Sequence, residues 1–274
     1  MLKKNSFNLI LLIYGVLIAG CSSQKNEDAE EKWISLFNGQ NLDGWDIKIS
    51  GHPLNDNYKN TFIVEDNIIK VNYAEYDTFT HEFGHLYYHK PFSHYRLQLE
   101  YRILGKPTPG SPDYAEANSG VMLHAQSAAS QELNQNFPAS IEMQFLSRID
   151  SNDRATGNLA SPGTHVFKDG KLWTDHMMYS DGPTFEDQWV KMEAIVLGDS
   201  IVHHVVNGDT VLTYTKPQIG GWEVEEDTRW VDDRSWFIEH KGMPLKEGYI
   251  ALQAEGHPVW FRHIRLLDLS DKYK

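Results

Sequence analysis

Cysteine is nearly absent: Cys21 is the only one in 274 residues, so no intramolecular disulfide can brace the fold and buried apolar area must do so. Cations are scarce as well, 25 Lys and Arg against 38 Asp and Glu, for a formal net charge of −13. That balance excludes the clustered basic surface that a nucleic acid or an anionic membrane would need. No stretch after residue 33 sustains a 3.6-residue apolar period over three turns, which excludes a helical bundle. Aromatic residues are what the chain has in quantity. Its eight Trp and thirteen Tyr can fill a β-sandwich core, and they can also stack on sugar faces.

The first twenty residues, with a short basic start and an apolar run, read as a secretory signal peptide. The run is too short to span a bilayer and is interrupted by Asn8, Tyr14 and Gly15. Leu17-Ile18-Ala19-Gly20-Cys21 resembles a bacterial lipobox, which implies cleavage before Cys21, its lipidation, and a periplasmic or cell-surface lipoprotein touching the membrane only through that anchor. Cys21 and the polar segment SSQKNEDAEEK, residues 21–32, form a tether too hydrophilic to pack. A single domain is expected over 33–274.

Short runs of β-branched and aromatic residues with alternating polarity predict strands at Thr61–Val64, Ile68–Val71, Tyr95–Ile103, Gly120–Ala125, Ile141–Leu146, Trp189–Leu197, Ser200–Asn207, Thr210–Tyr214, Tyr249–Ala254 and Val259–Leu267. Glu65-Asp66-Asn67, Gly198-Asp199 and Asn207-Gly208-Asp209 read as tight hairpin turns. The pattern predicts an all-β, two-sheet antiparallel sandwich. Two long segments interrupt it, Ser147–Asp187 and Lys216–Gly248, the second holding Trp222, Trp230 and Trp236. Both are expected at one rim, framing a cleft.

His81-Glu82-Phe83-Gly84-His85 completes an H-E-x-x-H, the zinc-protease pattern, which works only on a helix. The flanking residues are poor helix formers, and Gly84 lies inside the motif. The longer form of the motif needs Gly and His where this chain has Tyr88 and Pro91. A zinc protease is therefore disfavoured.

Several phrases occur in order along the chain: SLFNGQNLDGW (35–45), FGHLYYHKPFSHYRLQLEYR (83–102), NSGVMLH (118–124), PASIEMQ (138–144), TGNLASPGTHV (156–166), DQWV (187–190), HVVNGDTVLTY (204–214), KPQIGG (216–221) and GYIALQAEGHPVWFRHIRLLDL (248–269). Together they resemble the 3-keto-disaccharide hydrolase domain family. The resemblance implies a concanavalin A-like jelly roll whose concave sheet forms a sugar groove, with an oligosaccharide or glycoside as partner. It also makes FGHLYY a loop entering the next strand, with His85 at the groove rim.

Strand parity selects candidates within that frame. Glu142 and Gln144 share a face opposite Ile141, Met143 and Phe145, which is either a ligand surface or a solvated sheet face. Met122 falls with His124, Glu100 with Arg102, and Ala251 with Gln253 and Glu255. Glu100 and Arg102 read equally well as a surface pair, and Arg262 as a ligand contact or a structural ion pair. His204 aligns with Val202 and Val206; parity leaves it undecided between core and site, and the resemblance selects it.

An ordinary glycosidase needs two carboxyl groups about 5–10 Å apart. Jelly-roll glucanases place theirs on one strand as E-x-D-x-x-E, whereas this chain reads Glu142-Met143-Gln144-Phe145-Leu146-Ser147. A 3-keto-glycoside offers another route: its ketone acidifies the C2 hydrogen, one base removes it, and the glycosidic oxygen leaves by β-elimination, with hydration completing net hydrolysis. The candidate catalytic residues are His204, Glu142 and His176. The candidate substrate contacts are Gln144, His124, His165, Arg102, Gln253, Glu255 and Arg262. A divalent metal is a candidate cofactor, with Glu142 and His204 as its ligands. The rival expectation is a non-catalytic glycan-binding lipoprotein.

Overall fold

The computed structural model describes residues 31–222 and 231–273, so the expected signal peptide, Cys21 and Trp230 lie outside the described residues. Lys32 to Lys274 form one compact unit. It is almost wholly β, as the alternation predicts.

Two antiparallel sheets make up the sandwich. The ten-stranded sheet runs Lys171–Trp173, Thr164–Lys168, Asp209–Ile219, Ile201–Val206, Val190–Leu197, His94–Ile103, Val259–Asp268, Ile68–Val71, Phe62–Glu65, with Trp33–Ser35 paired to Val259–Asp268. The seven-stranded sheet runs Met177–Met178, Leu159–Ala160, Ile141–Leu146, Asn118–Ala125, Tyr249–Ala254, Gly84–Tyr88, Trp45–Ile49. All ten strands expected from the sequence are present, with Ile68–Val71, Ile141–Leu146 and Tyr249–Ala254 at the expected ends. The hairpin turns are where the sequence puts them, and Asp66, Asn67 and Asn207 take the positive φ that such turns require.

The core lies between the sheets. Tyr95, Leu97, Leu99, Tyr101 and Ile103 face it from one sheet, and Ile141, Met143, Phe145, Ile250, Leu252 and Ala254 from the other. Tyr101 stacks on Phe145 at 4.5 Å between ring centroids. Each such fully buried side chain contributes about 1.5–3 kcal/mol, which is how the fold holds without a disulfide.

Two expectations are corrected here, those for His85 and for Ser147–Asp187. Gly84–Tyr88 is a strand of the seven-stranded sheet, so His85 is fully buried in that sheet and does not stand at a rim. His81 occupies a turn with φ near +103°, so no helix carries H-E-x-x-H, and the Glu82 carboxylate accepts from the Thr80 N–H and hydroxyl, each at 2.6 Å. Ser147–Asp187 contains four short strands where an irregular loop was expected.

Candidate active site

Glu142 and Gln144 point away from the core into a cavity of about 520 Å³ on the other face of the seven-stranded sheet. The floor is local sequence made three-dimensional. Ile141, Met143 and Phe145 take the apolar side, so the intervening residues must emerge opposite. The neighbouring strand carries Gly120 beside them, and a Cβ there would overlap the Glu142 carboxyl. The missing side chain lets Glu142 lean across the Asn118–Ala125 strand and accept a hydrogen bond from Gln253 on Tyr249–Ala254.

Glu255, just beyond that strand, lines the same cavity and is 3% exposed. Burial raises the pKa of both carboxyls well above the ordinary range, because an ionised carboxylate loses its hydration there. The charge of Glu142 raises Glu255 further, and Arg154 opposes the rise. Such a pair holds a proton at pH values where an exposed glutamate has none.

The other wall comes from the Ser147–Asp187 segment. Arg154 donates to the carbonyl of Glu116 at 2.6 Å, which fixes its guanidinium beside Glu255. Asn158 donates to Gln144 Oε1 at 3.0 Å and accepts from the Ser180 N–H at 2.9 Å. Clamping Oε1 leaves the Gln144 amide N–H2 as the donor facing the cavity. His176 also lines the cavity, and burial lowers its pKa, so its imidazole is neutral at neutral pH. The buried oxygens Asn118 Oδ1, Gln253 Oε1 and Glu255 Oε2 have no hydrogen-bond partner among the described residues. An uncompensated buried polar atom costs about 1–3 kcal/mol, and three on one face mark a surface built to meet something else.

The structure therefore brings together Glu142, Gln144, His176, Gln253 and Glu255 and separates the other candidates from them. His204 is fully buried in the inter-sheet core, within 2.8 Å of the Gly157 carbonyl and 2.9 Å of the Tyr214 hydroxyl, so both ring nitrogens are engaged and it cannot serve as the base. Nor can it share a metal with Glu142, which lies on the opposite sheet and faces away. Among the described residues no group of three or more His, Cys, Asp or Glu has a metal-holding arrangement.

His124 takes φ near +48°, an irregularity that breaks strand parity and turns its ring from the Met122 face towards Tyr95 and the Gly198 carbonyl, 3.1 Å away. His165 sits in the ten-stranded sheet with Gly220 packed against its ring, outside the cavity. Arg102 pairs with Asp187 at 2.8 Å and Arg262 with Glu100 at 2.7 Å, both on the outer face of the ten-stranded sheet. Lys216–Gly248 supplies no described residue to this cavity. Sequence reasoning missed Arg154 and Asn158, which sit where no alternation exists to reveal a face.

A known structure shares the sandwich. A protein proposed to be a glycosyl hydrolase from Parabacteroides distasonis ATCC 8503 is 18% identical, with 87% of this chain and 95% of that one covered and a TM-score of 0.52. Another from the same organism is also 18% identical, with 87% and 100% covered and a TM-score of 0.49. A carbohydrate-binding module from Bacillus subtilis is 9% identical over 81% of this chain and 94% of its own, with a TM-score of 0.45. No curated protein matches the sequence. Residues 32–267 match one carbohydrate-active family across nearly the whole sandwich, and the chain belongs to it: the 3-keto-alpha-glucoside-1,2-lyase-like domain family.

Proposed function

We propose that the cavity cleaves 3-keto-glycosides by removing the C2 proton and expelling the glycosidic oxygen, with hydration of the resulting enone as the second stage. The observation that carries this reading is a neutral imidazole sharing one cavity with two buried carboxyls of raised pKa. His176 takes the C2 proton. The Glu142–Glu255 pair, which retains a proton at neutral pH, donates to the leaving oxygen or to the developing enolate. Arg154, fixed beside Glu255, adds positive charge where the enolate oxygen forms. The Gln144 amide and the unpartnered oxygens of Asn118 and Gln253 bind hydroxyls. Export and lipidation at Cys21 belong to the same proposal and would place the cavity outside the cytoplasm.

A second reading is favoured by one specific observation. Glu255 supplies, from just beyond another strand, the second carboxyl that the Glu142 strand lacks, which is the minimum set for ordinary glycoside hydrolysis. One experiment separates the readings: incubate the protein with a 3-keto-disaccharide and with its unoxidised parent, and follow free sugar and enone absorbance. Cleavage of the keto sugar alone is expected. Equal cleavage of the parent selects the two-carboxylate reading, and binding of both without turnover means a glycan-capture protein.

A further inference from the structure

The cavity is chemically divided. Among its lining side chains Glu142, Gln144 and Glu255 are buried, whereas Met177 is half-buried and two tyrosines stand exposed to solvent. Those tyrosines are unusual for the fold. Tyr179 is 78% exposed and Tyr114 is 53% exposed, in a protein that buries most of its large apolar side chains. Both sit on fixed backbone. Tyr179 lies between Met178, which is buried and paired with Leu159, and Ser180, whose N–H and hydroxyl bond Asn158 Oδ1 at 2.9 Å and the Thr156 carbonyl at 2.8 Å. Tyr114 rides on the turn Asp113–Ala115, whose Ala115 is fully buried and whose Tyr114 carbonyl accepts from the Asn118 side chain at 3.1 Å. Exposed rings on pinned backbone lose little entropy when a flat partner stacks on them.

Resting on the reading above, we infer that Tyr114 and Tyr179 form the aglycone site and that its preferred occupant is a planar aromatic leaving group. A sugar in that position would need directed hydrogen bonds as well as a ring face. The acid at this wall, Asp153, is already paired with Arg148 at 2.7 Å. Polar contacts are concentrated among the buried side chains, where the glycone lies, and the exposed tyrosines offer area. The substrate class is thus amphipathic: a polar oxidised sugar carrying an aryl group on C1.

The test is calorimetric binding of phenyl and methyl glucosides with intact 3-hydroxyls, which bind without being activated for elimination. The wild-type protein is expected to favour the phenyl compound by about three- to ten-fold, the range one aromatic stack supplies. Tyr179→Ala with Tyr114→Ala is expected to abolish that preference and leave methyl glucoside binding unchanged, while Tyr179→Phe retains it, because the ring face and not the hydroxyl makes the contact. No phenyl preference in the wild type, equal weakening of both ligands in the double variant, or loss of preference in Tyr179→Phe would each overturn the assignment. If the preference holds but no 3-keto-glycoside is turned over, the proposed reaction fails while the aromatic site stands.

Discussion

The two solvent-side faces of the sandwich draw on the same residue types and treat them in opposite ways. On the ten-stranded sheet the arginines along the centre each have a partner. Arg96 meets Glu193 at 2.6 Å, Arg262 meets Glu100 at 2.7 Å, and Trp33, Trp189 and Trp260 lie against Arg265, Arg262 and Arg102. These groups are partly exposed, and such a ladder is worth little energetically; it keeps a broad sheet face wet and soluble. On the seven-stranded sheet Glu142 and Glu255 are buried together, and several polar atoms there have no partner among the described residues. The first arrangement is complete in itself. The second is stable only because the rest of the fold supports it, and that is where chemistry is to be expected.

The largest effect that tests this contrast is Glu142→Gln, which removes the proton donor while keeping shape. It is expected to lower kcat on a 3-keto-glycoside by about 10²–10⁴-fold, and to raise the urea midpoint at pH 8, because the buried carboxyl resists ionisation there. Gly120→Ala should follow. The added methyl displaces the Glu142 carboxyl, at a cost of about 1–3 kcal/mol in urea unfolding, with a matching loss of turnover.

The pH dependence divides along the same line. His124, His204 and His257 have folded pKa values lowered to about 4 by burial. Between that value and 6.5 the unfolded chain binds more protons than the folded one. Their contribution is thus complete above about 6.5 and is lost as pH falls towards 4, at up to about 1.4 kcal/mol per pH unit for each group. The two glutamates run the other way, their ionisation opposing the fold as pH rises above the ordinary carboxylate range. Urea midpoints measured from pH 4 to 9 should therefore peak at an intermediate pH, and Glu142→Gln should raise them progressively from about pH 4.5 to about 8, steepening the acid limb and flattening the fall above the peak. Turnover is expected within a matching window, rising as His176 loses its proton and falling as the carboxyl pair loses its own. The smallest expected effect is Arg262→Ala, less than about 1 kcal/mol in stability and no change in kcat; a large loss of activity would blur the distinction between the faces.

How much of this was legible in the sequence follows from what alternation can carry. Ten strands, the core side of Ile141–Leu146 and Tyr249–Ala254, and the pairs Glu142 with Gln144 and Gln253 with Glu255 all emerge from a period of two. Parity also set His204 beside Val202 and Val206, which are core residues, so the alignment was sound and the role attached to it was not. Arg102 and Arg262 failed for a different reason: parity shows that a residue leaves the core but not which sheet it leaves from. His124 failed because one backbone irregularity reverses parity without a sequence signal. The closeness of Glu142 to Glu255 was hidden because it depends on strand order, with Asn118–Ala125 seated between their strands, and on the absence of a side chain at Gly120.

Thr156 ties the far sheet to the cavity wall. Its hydroxyl oxygen lies 2.9 Å from the Tyr101 hydroxyl and accepts from the Leu146 N–H at 3.1 Å, while its carbonyl accepts from Ser180 Oγ. The segment that carries Asn158, His176 and Tyr179 is thus bolted to the core instead of hanging as a flap. A wall held in this way cannot meter entry or exit by opening, so bond-breaking steps and not loop motion should set the pace. The rate at saturating substrate is then expected to be unchanged when the solvent is thickened with sucrose.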